Sequence, residues 1–195
     1  MRQWHCIYFL LEAKPFDMKT DVNNTSDKLK WWQLALIAAG VSFVGGLSGG
    51  TTHMQEKKLY NKKNKQAPWA PPSWLFAPAW TLNNFFLIKA LIKILNKENV
   101  AEKRKLMLLQ GAIWAIFFSF NYIYFRKKSP ILAAAWTMAD AVLATASLIM
   151  ALKNDKKLAL NYLPLVLWTG YASTIADYQA LKNPDPVLHT AALLN

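Results

Sequence analysis

A chain of 195 residues has room for one large domain, and 54% hydrophobic against 17% charged residues is too apolar for a soluble domain of that size. The net charge of +12 raises nucleic acid as a partner, yet the lysines cluster between apolar stretches and no nucleic-acid motif accompanies them, so the charge is assigned to lipid headgroups instead. Cys6 is the single cysteine, which rules out an intrachain disulfide and a cysteine-rich metal site.

Residues 1–30 read as a polar N-terminal extension. The run Cys6–Leu11 is too short to cross a membrane and Glu12 interrupts it, leaving at most a poorly formed signal segment. Met18 opens the stretch MKTDVNNTSDKLK and is read as the natural start, with the preceding seventeen residues dispensable. Five apolar segments follow: Trp31–Thr51, Trp74–Ile92, Leu106–Phe125, Pro130–Leu152 and Leu158–Leu181. Each is about 20 residues, the length that carries an α-helix across roughly 30 Å of hydrocarbon. The expectation is an all-α, integral membrane, multi-pass bundle of five transmembrane helices over residues 31–183, with a C-terminal tail over 184–195. Lys/Arg counts on the two sides are 13 and 9, so both sides are basic and the topology stays open.

The first span is rich in small residues, with Ser42 and Gly46, and Gly45 and Gly49, at small-xxx-small spacing. Such spacing suits close helix approach, either inside the bundle or across a homodimer. After it comes a strongly basic loop ending in APWAPPSWLFAPAW, Ala67–Trp80. Proline fixes φ and lacks an amide, so Pro71 and Pro72 suit a rigid segment running into a helix start, with Ser73 near the cap and Pro78 in the first turn. Tryptophan contributes flat apolar area and one N–H donor. The segment reads as a stiff aromatic lid over a flat hydrophobic ligand. Trp69 is either part of the interfacial aromatic belt, as Trp31 and Trp32 are, or a ligand contact; Trp74 stands at the helix mouth and is open to both readings.

Beyond the lid, Phe76, Trp80, Asn83/Asn84 and Leu87 follow helical spacing and share one face. Pro164, Trp168, Tyr171/Ala172, Ile175 and Tyr178/Gln179 form a similar stripe on the fifth span. Two such stripes together give aromatic walls with a few polar tips, the usual composition of a small-molecule pocket. Trp114 and Trp136 read as helix-packing residues. Asp140 lies well inside the fourth span, where a carboxylate is costly and faces the bundle interior; a partner for a polar ligand group, a proton acceptor and a hydrogen-bonded structural residue all fit. The stretch Ile175–Lys182 approaches a sterol pattern only if isoleucine replaces its leucine or valine, which is little support. His5, His53 and His189 are scattered and outside the spans, which speaks against haem ligation, and no catalytic constellation or metal-binding cluster is visible.

PPSWLFAPAWT (Pro71–Thr81) strongly resembles the Trp/Pro segment of the TspO/MBR family, the tryptophan-rich sensory proteins related to the peripheral benzodiazepine receptor. Pro164-Leu165-Val166-Leu167-Trp168 resembles the Pro-Tyr-x-x-Trp element of that family's last helix, with Leu165 in place of tyrosine. Asn84 stands where the family usually has tyrosine, and Ile175-Ala176 where it has Leu-Asn. The resemblance covers roughly residues 31–183 and implies a five-helix bundle, commonly dimeric, with a pocket closed by the first loop. It further implies a porphyrin or haem-type tetrapyrrole, or a sterol-like small molecule, as ligand, with Trp80 and Trp168 lining the pocket and no cofactor required. A sensory, regulatory or transport role follows from resemblance alone. An enzyme-like, photo-oxidative breakdown of porphyrin and a scaffold with a vestigial pocket are the alternatives; the absence of a catalytic set weighs against the first.

Overall fold

The computed structural model describes residues 29–50, 55, 58–96, 102–153 and 155–194. The N-terminal extension expected over residues 1–30 and the start at Met18 therefore lie almost entirely outside the described residues. Those described form an all-helical bundle whose five long helices follow one another up and down.

Helix α1 spans Trp31–Leu47. Its start is closed by Gln33, whose side-chain oxygen accepts from the Lys30 amide at 2.8 Å. It stops short of the expected Thr51, because the Ser48 hydroxyl turns back onto the Gly45 carbonyl at 2.7 Å and Gly50 takes a left-handed φ of 56° that ends helical geometry. A π-helical turn, Leu59–Lys63, lies within the long first loop. The prolines then act as expected: Pro72 is extended, a 3-10 turn covers Ser73–Leu75, and α2 runs Phe76–Asn96 with Pro78 in its first turn. Ser73 opens the 3-10 turn and makes no side-chain cap.

Helix α3 covers Lys103–Asn121 and passes into a π-helical turn, Tyr122–Arg126. Helix α4 is Pro130–Leu152, with Pro130 in the first turn and the Ser129 hydroxyl accepting from the Leu132 amide at 3.2 Å. The expected fifth span from Leu158 is broken. A four-residue helix, Lys156–Ala159, ends in a turn, and α5 begins at Leu163 and runs to Lys182. Asn161 causes the interruption by bonding back to the Lys157 and Leu158 carbonyls at 2.7 and 3.2 Å.

Helix α4 makes its most extensive contact with α5, while α1 packs on α2 and α3 packs on α4. The buried residues of α4 include Ala133, Thr137, Ala144, Ser147 and Ala151, small side chains that permit close approach in lipid. A core of Leu87, Ile94, Leu106, Ile113, Tyr162 and Leu165 ties α2, α3 and α5 together. Gln110 bridges the same elements, donating to the Leu87 carbonyl at 2.6 Å and accepting from the Tyr162 hydroxyl at 3.0 Å. The small residues of α1 serve partly in this packing: Ser42 Oγ accepts from Asn84 at 3.0 Å, and Gly45 lies directly under the Phe117 ring, whereas Gly40 and Gly46 look into open space.

Ser73–Asn96, Lys103–Arg126 and Pro130–Leu152 are long and apolar enough to cross a bilayer. Helix α1 has 17 residues, a rise of roughly 26 Å at 1.5 Å per residue. Helix α5 has 20 residues but carries Thr169, Ser173, Asp177 and Gln179, which lower its hydropathy. Large apolar side chains point outward on all five helices, Phe43, Leu82, Leu108, Val142 and Leu167 among them, as lipid contact requires.

Candidate ligand site under the first loop

The lid segment is fastened to α5 by its own backbone and indole. The Tyr171 hydroxyl donates to the Trp69 carbonyl at 2.7 Å, the Trp69 indole donates to Thr174 Oγ1 at 3.1 Å, and its ring meets Tyr178 edge-on at 5.5 Å between centroids. Trp69 thus sits on α5, although half of it remains exposed. Pro71 is buried and its carbonyl accepts from the Tyr60 hydroxyl at 2.9 Å. Burial, with Tyr124 and Tyr171 nearby, pushes the Tyr60 phenol above its usual range, so it stays a donor at all physiological pH.

From Tyr60 a file of rings runs into the bundle. Tyr60 meets Phe76 at 5.3 Å, Phe76 meets Trp168 at 5.6 Å, both edge-to-face, and Trp168 meets Tyr171 at 6.1 Å. The lid, the start of α2 and the middle of α5 therefore converge on Phe76 and Trp168. Trp80, one turn below Phe76, turns instead to α3, where it contacts Phe117 at 5.0 Å and packs against the Leu87–Leu165 core. The two tryptophans expected as facing walls each have a separate phenylalanine partner.

The remaining expected site residues spread over the bundle. Trp74 is 67% exposed, and Pro72 is exposed as well. Asn84 is buried on α2, donating to Ser42, with its Oδ1 unpartnered. Ala172 is half-buried on α5. Asp140 is 2% exposed, and its Oδ1 has no hydrogen-bond partner among the described residues. Trp136, one turn before it, donates to Ser119 on α3 at 2.9 Å and so serves helix packing. The Trp168 indole N–H is buried and unpartnered too. Leaving a buried polar group without a partner costs on the order of 1–3 kcal/mol.

A second set of residues, missed in the sequence, holds the lid from below. Tyr124 at the end of α3 donates to Gln179 Oε1 at 2.8 Å, Gln179 donates to Gln66 Oε1 at 2.6 Å, and Gln66 donates to the Tyr60 carbonyl. Asn183 completes the clasp, accepting from the Lys65 amide at 2.7 Å and donating to the Lys65 carbonyl at 3.1 Å. The one available signal was the position of Gln179 on the α5 stripe. Among the described residues no cluster of three His, Cys, Asp or Glu side chains is placed to hold a metal ion.

This arrangement sits within a stretch that matches a known family. The family model described as "TspO/MBR family" matches residues 34–180, which takes in the lid, Phe76, Trp80, Asp140 and Trp168. The chain is also similar to the "Tryptophan-rich protein TspO" of Chlorobaculum tepidum, 25% identical over 146 residues that cover 70% of this chain and 87% of the relative. With most of its length matched by the family model and a five-helix apolar bundle to carry it, the chain is an integral membrane protein that belongs to the TspO/MBR family.

Proposed function

We propose that this protein binds a hydrophobic tetrapyrrole, or a similarly flat lipid-like molecule, between α2 and α5 beneath the first-loop lid, in a sensory, regulatory or transport role. The observation that carries this reading is the convergence of the lid, Phe76 and Trp168, with a buried indole N–H that lacks an acceptor. A porphyrin supplies a large apolar face for edge and face contact with these rings, at about 25 cal/mol per Å² removed from water. Its acidic substituents supply acceptors. Trp80 contributes from the α3 side as the second wall. Binding requires no further cofactor, and no residue set in the site supports ordinary turnover.

The test is a titration of the detergent-solubilised protein with protoporphyrin IX, read by tryptophan quenching. Saturable quenching is expected, weakened on the order of tenfold in Trp168→Ala and less in Trp80→Ala. Trp168→Phe keeps an aromatic face and removes the donor, so its intermediate affinity isolates the N–H. Equal quenching in all variants, or none, overturns the proposal. An unchanged porphyrin spectrum after hours in light fits binding; progressive bleaching shows breakdown instead.

A further inference from the structure

Between the first loop and the α3–α4 turn lies a cavity of about 400 Å³ lined by Gln55, Lys58, Leu59, Lys63, Phe125, Arg126 and Lys128. Four of its lining groups are cationic. Among the described residues none of the four has a carboxylate within salt-bridge distance. Arg126 is held in place from two directions. Its guanidinium lies over the Tyr122 ring at 5.8 Å, and it packs so close to Gly50 that a Cβ there would stand 3.1 Å from Nη1. The floor is apolar: Leu59 is buried against Tyr60 and Tyr124, and Phe125 packs on the same cluster. The cavity opens where the α3–α4 turn meets the first loop, at the boundary of the membrane-spanning segments.

Cations above an apolar floor, at the level where headgroups lie, match the two halves of a phospholipid. We infer that this cavity is a specific site for one anionic phospholipid, with the phosphate among Lys58, Lys63, Arg126 and Lys128 and the acyl chains leaving along Leu59 and Phe125. Basic pockets at helix ends recognise acidic headgroups in this way, each cation near the surface contributing on the order of fivefold in affinity. Arginine gives the fork that a phosphate accepts from two sides, and the lysines add point charge. The cavity lining shares no residue with the aromatic file, although its floor packs on Tyr60, and it needs no tetrapyrrole.

The probes are dioctanoyl phosphatidylglycerol, dioctanoyl phosphatidylcholine and inorganic phosphate, each titrated into the full chain in neutral detergent. Bound molecules are counted by native mass spectrometry. One phosphatidylglycerol is expected to stay bound at concentrations where phosphatidylcholine and phosphate do not. Lys63→Gln with Arg126→Gln is expected to weaken it on the order of twenty-five-fold, while Arg104→Gln with Lys105→Gln, at the opposite end of α3, leaves it unchanged. Lys63→Arg with Arg126→Lys preserves charge and guards against misfolding as the cause, because it is expected to retain most of the affinity. Equal retention in the neutralised and control variants overturns the inference. So does equal binding of phosphatidylcholine, which points to apolar adhesion, or of inorganic phosphate alone, which points to a free-anion site.

Discussion

Asp185 shows how much one side chain fixes at the foot of this bundle. Its Oδ2 accepts from the Ser129 hydroxyl at 2.5 Å and from the Ile131 amide at 3.0 Å, while Oδ1 accepts from the amides of Val187 and Leu188 at 2.8 and 2.9 Å. The carboxylate thereby satisfies a free amide in the first turn of α4 and closes the turn that folds the C-terminal residues back, where Asp185 and Thr190 bond reciprocally and the Leu194 amide reaches the Leu181 carbonyl. Burial opposes ionisation here, but the bonds from Ser129, Leu188, Ile131 and Val187 outweigh it and hold the pKa below its usual 3.8. A carboxyl whose pKa is lower in the folded state stabilises above the unfolded value and loses that contribution as pH falls through the folded one. The docked tail is therefore expected to be secure at neutral pH and to loosen only below the ordinary carboxylate range. Asp185→Asn keeps the shape but removes the charge and is expected to cost roughly 1–2 kcal/mol. Amide exchange of residues 187–194 at neutral pH measures it: faster exchange in the variant is expected, and unchanged exchange would show that the tail is held by other contacts.

At the scale of elements, α1 depends on one close approach. Phe117 is 8% exposed, with Trp80 and Phe118 against its ring, so it has nowhere to retreat from a side chain on Gly45. Gly45→Ala is expected to lower stability by about 1–3 kcal/mol through overpacking. Gly46→Ala, one residue on and facing open space, is expected to raise it by up to about 1 kcal/mol through helix propensity. Thermal unfolding in detergent compares them, and the same sign for both would refute the tight α1–α3 contact. The elements also show what the sequence discloses. Helix α4 was readable at both ends because Ser129-Pro130 starts a helix by local chemistry and Lys153 ends the apolar run. The end of α1 was not, since an apolar glycine-rich run conceals the residue that turns left-handed. Nor was the start of α5, where Leu158–Leu163 reads as unbroken greasy helix while Asn161 bonds backwards. The aromatic half of the site was legible because tryptophan and proline announce themselves. The amide clasp was not, because Gln66 and Gln179 are 113 residues apart and each alone is an ordinary polar residue.

For the whole molecule, the succession of helices places the lid, the α3–α4 turn and the C-terminal residues at one end, with Lys30, the end of α2, the start of α3 and the Lys156–Ala159 helix at the other. The contacts bear this out. Lys65 meets Asn183 and Ser129 meets Asp185 at the lid end, while Lys93 reaches the Lys157 carbonyl at the far end. The aromatic file, the clasp, the docked tail and the basic cavity all share the lid end. Length alone leaves α1 and α5 as the short or polar members, and their crossing is the point most open to experiment. On a Cys6→Ser background, single cysteines at Lys30, Lys63, Lys156 and His189 report their side through a membrane-impermeant maleimide. If all five helices cross, Lys63→Cys and His189→Cys label from one face, and Lys30→Cys and Lys156→Cys from the other. Were α1 to lie along the surface, Lys30→Cys would join Lys63→Cys; were α5 to do so, His189→Cys would join Lys156→Cys. The packing of α4 on α5 and of α1 beneath Phe117 favours five crossings. A surface helix would have to give up those contacts, together with the bonds that tie Ser42 on α1 to Asn84 and Gln179 on α5 to Tyr124.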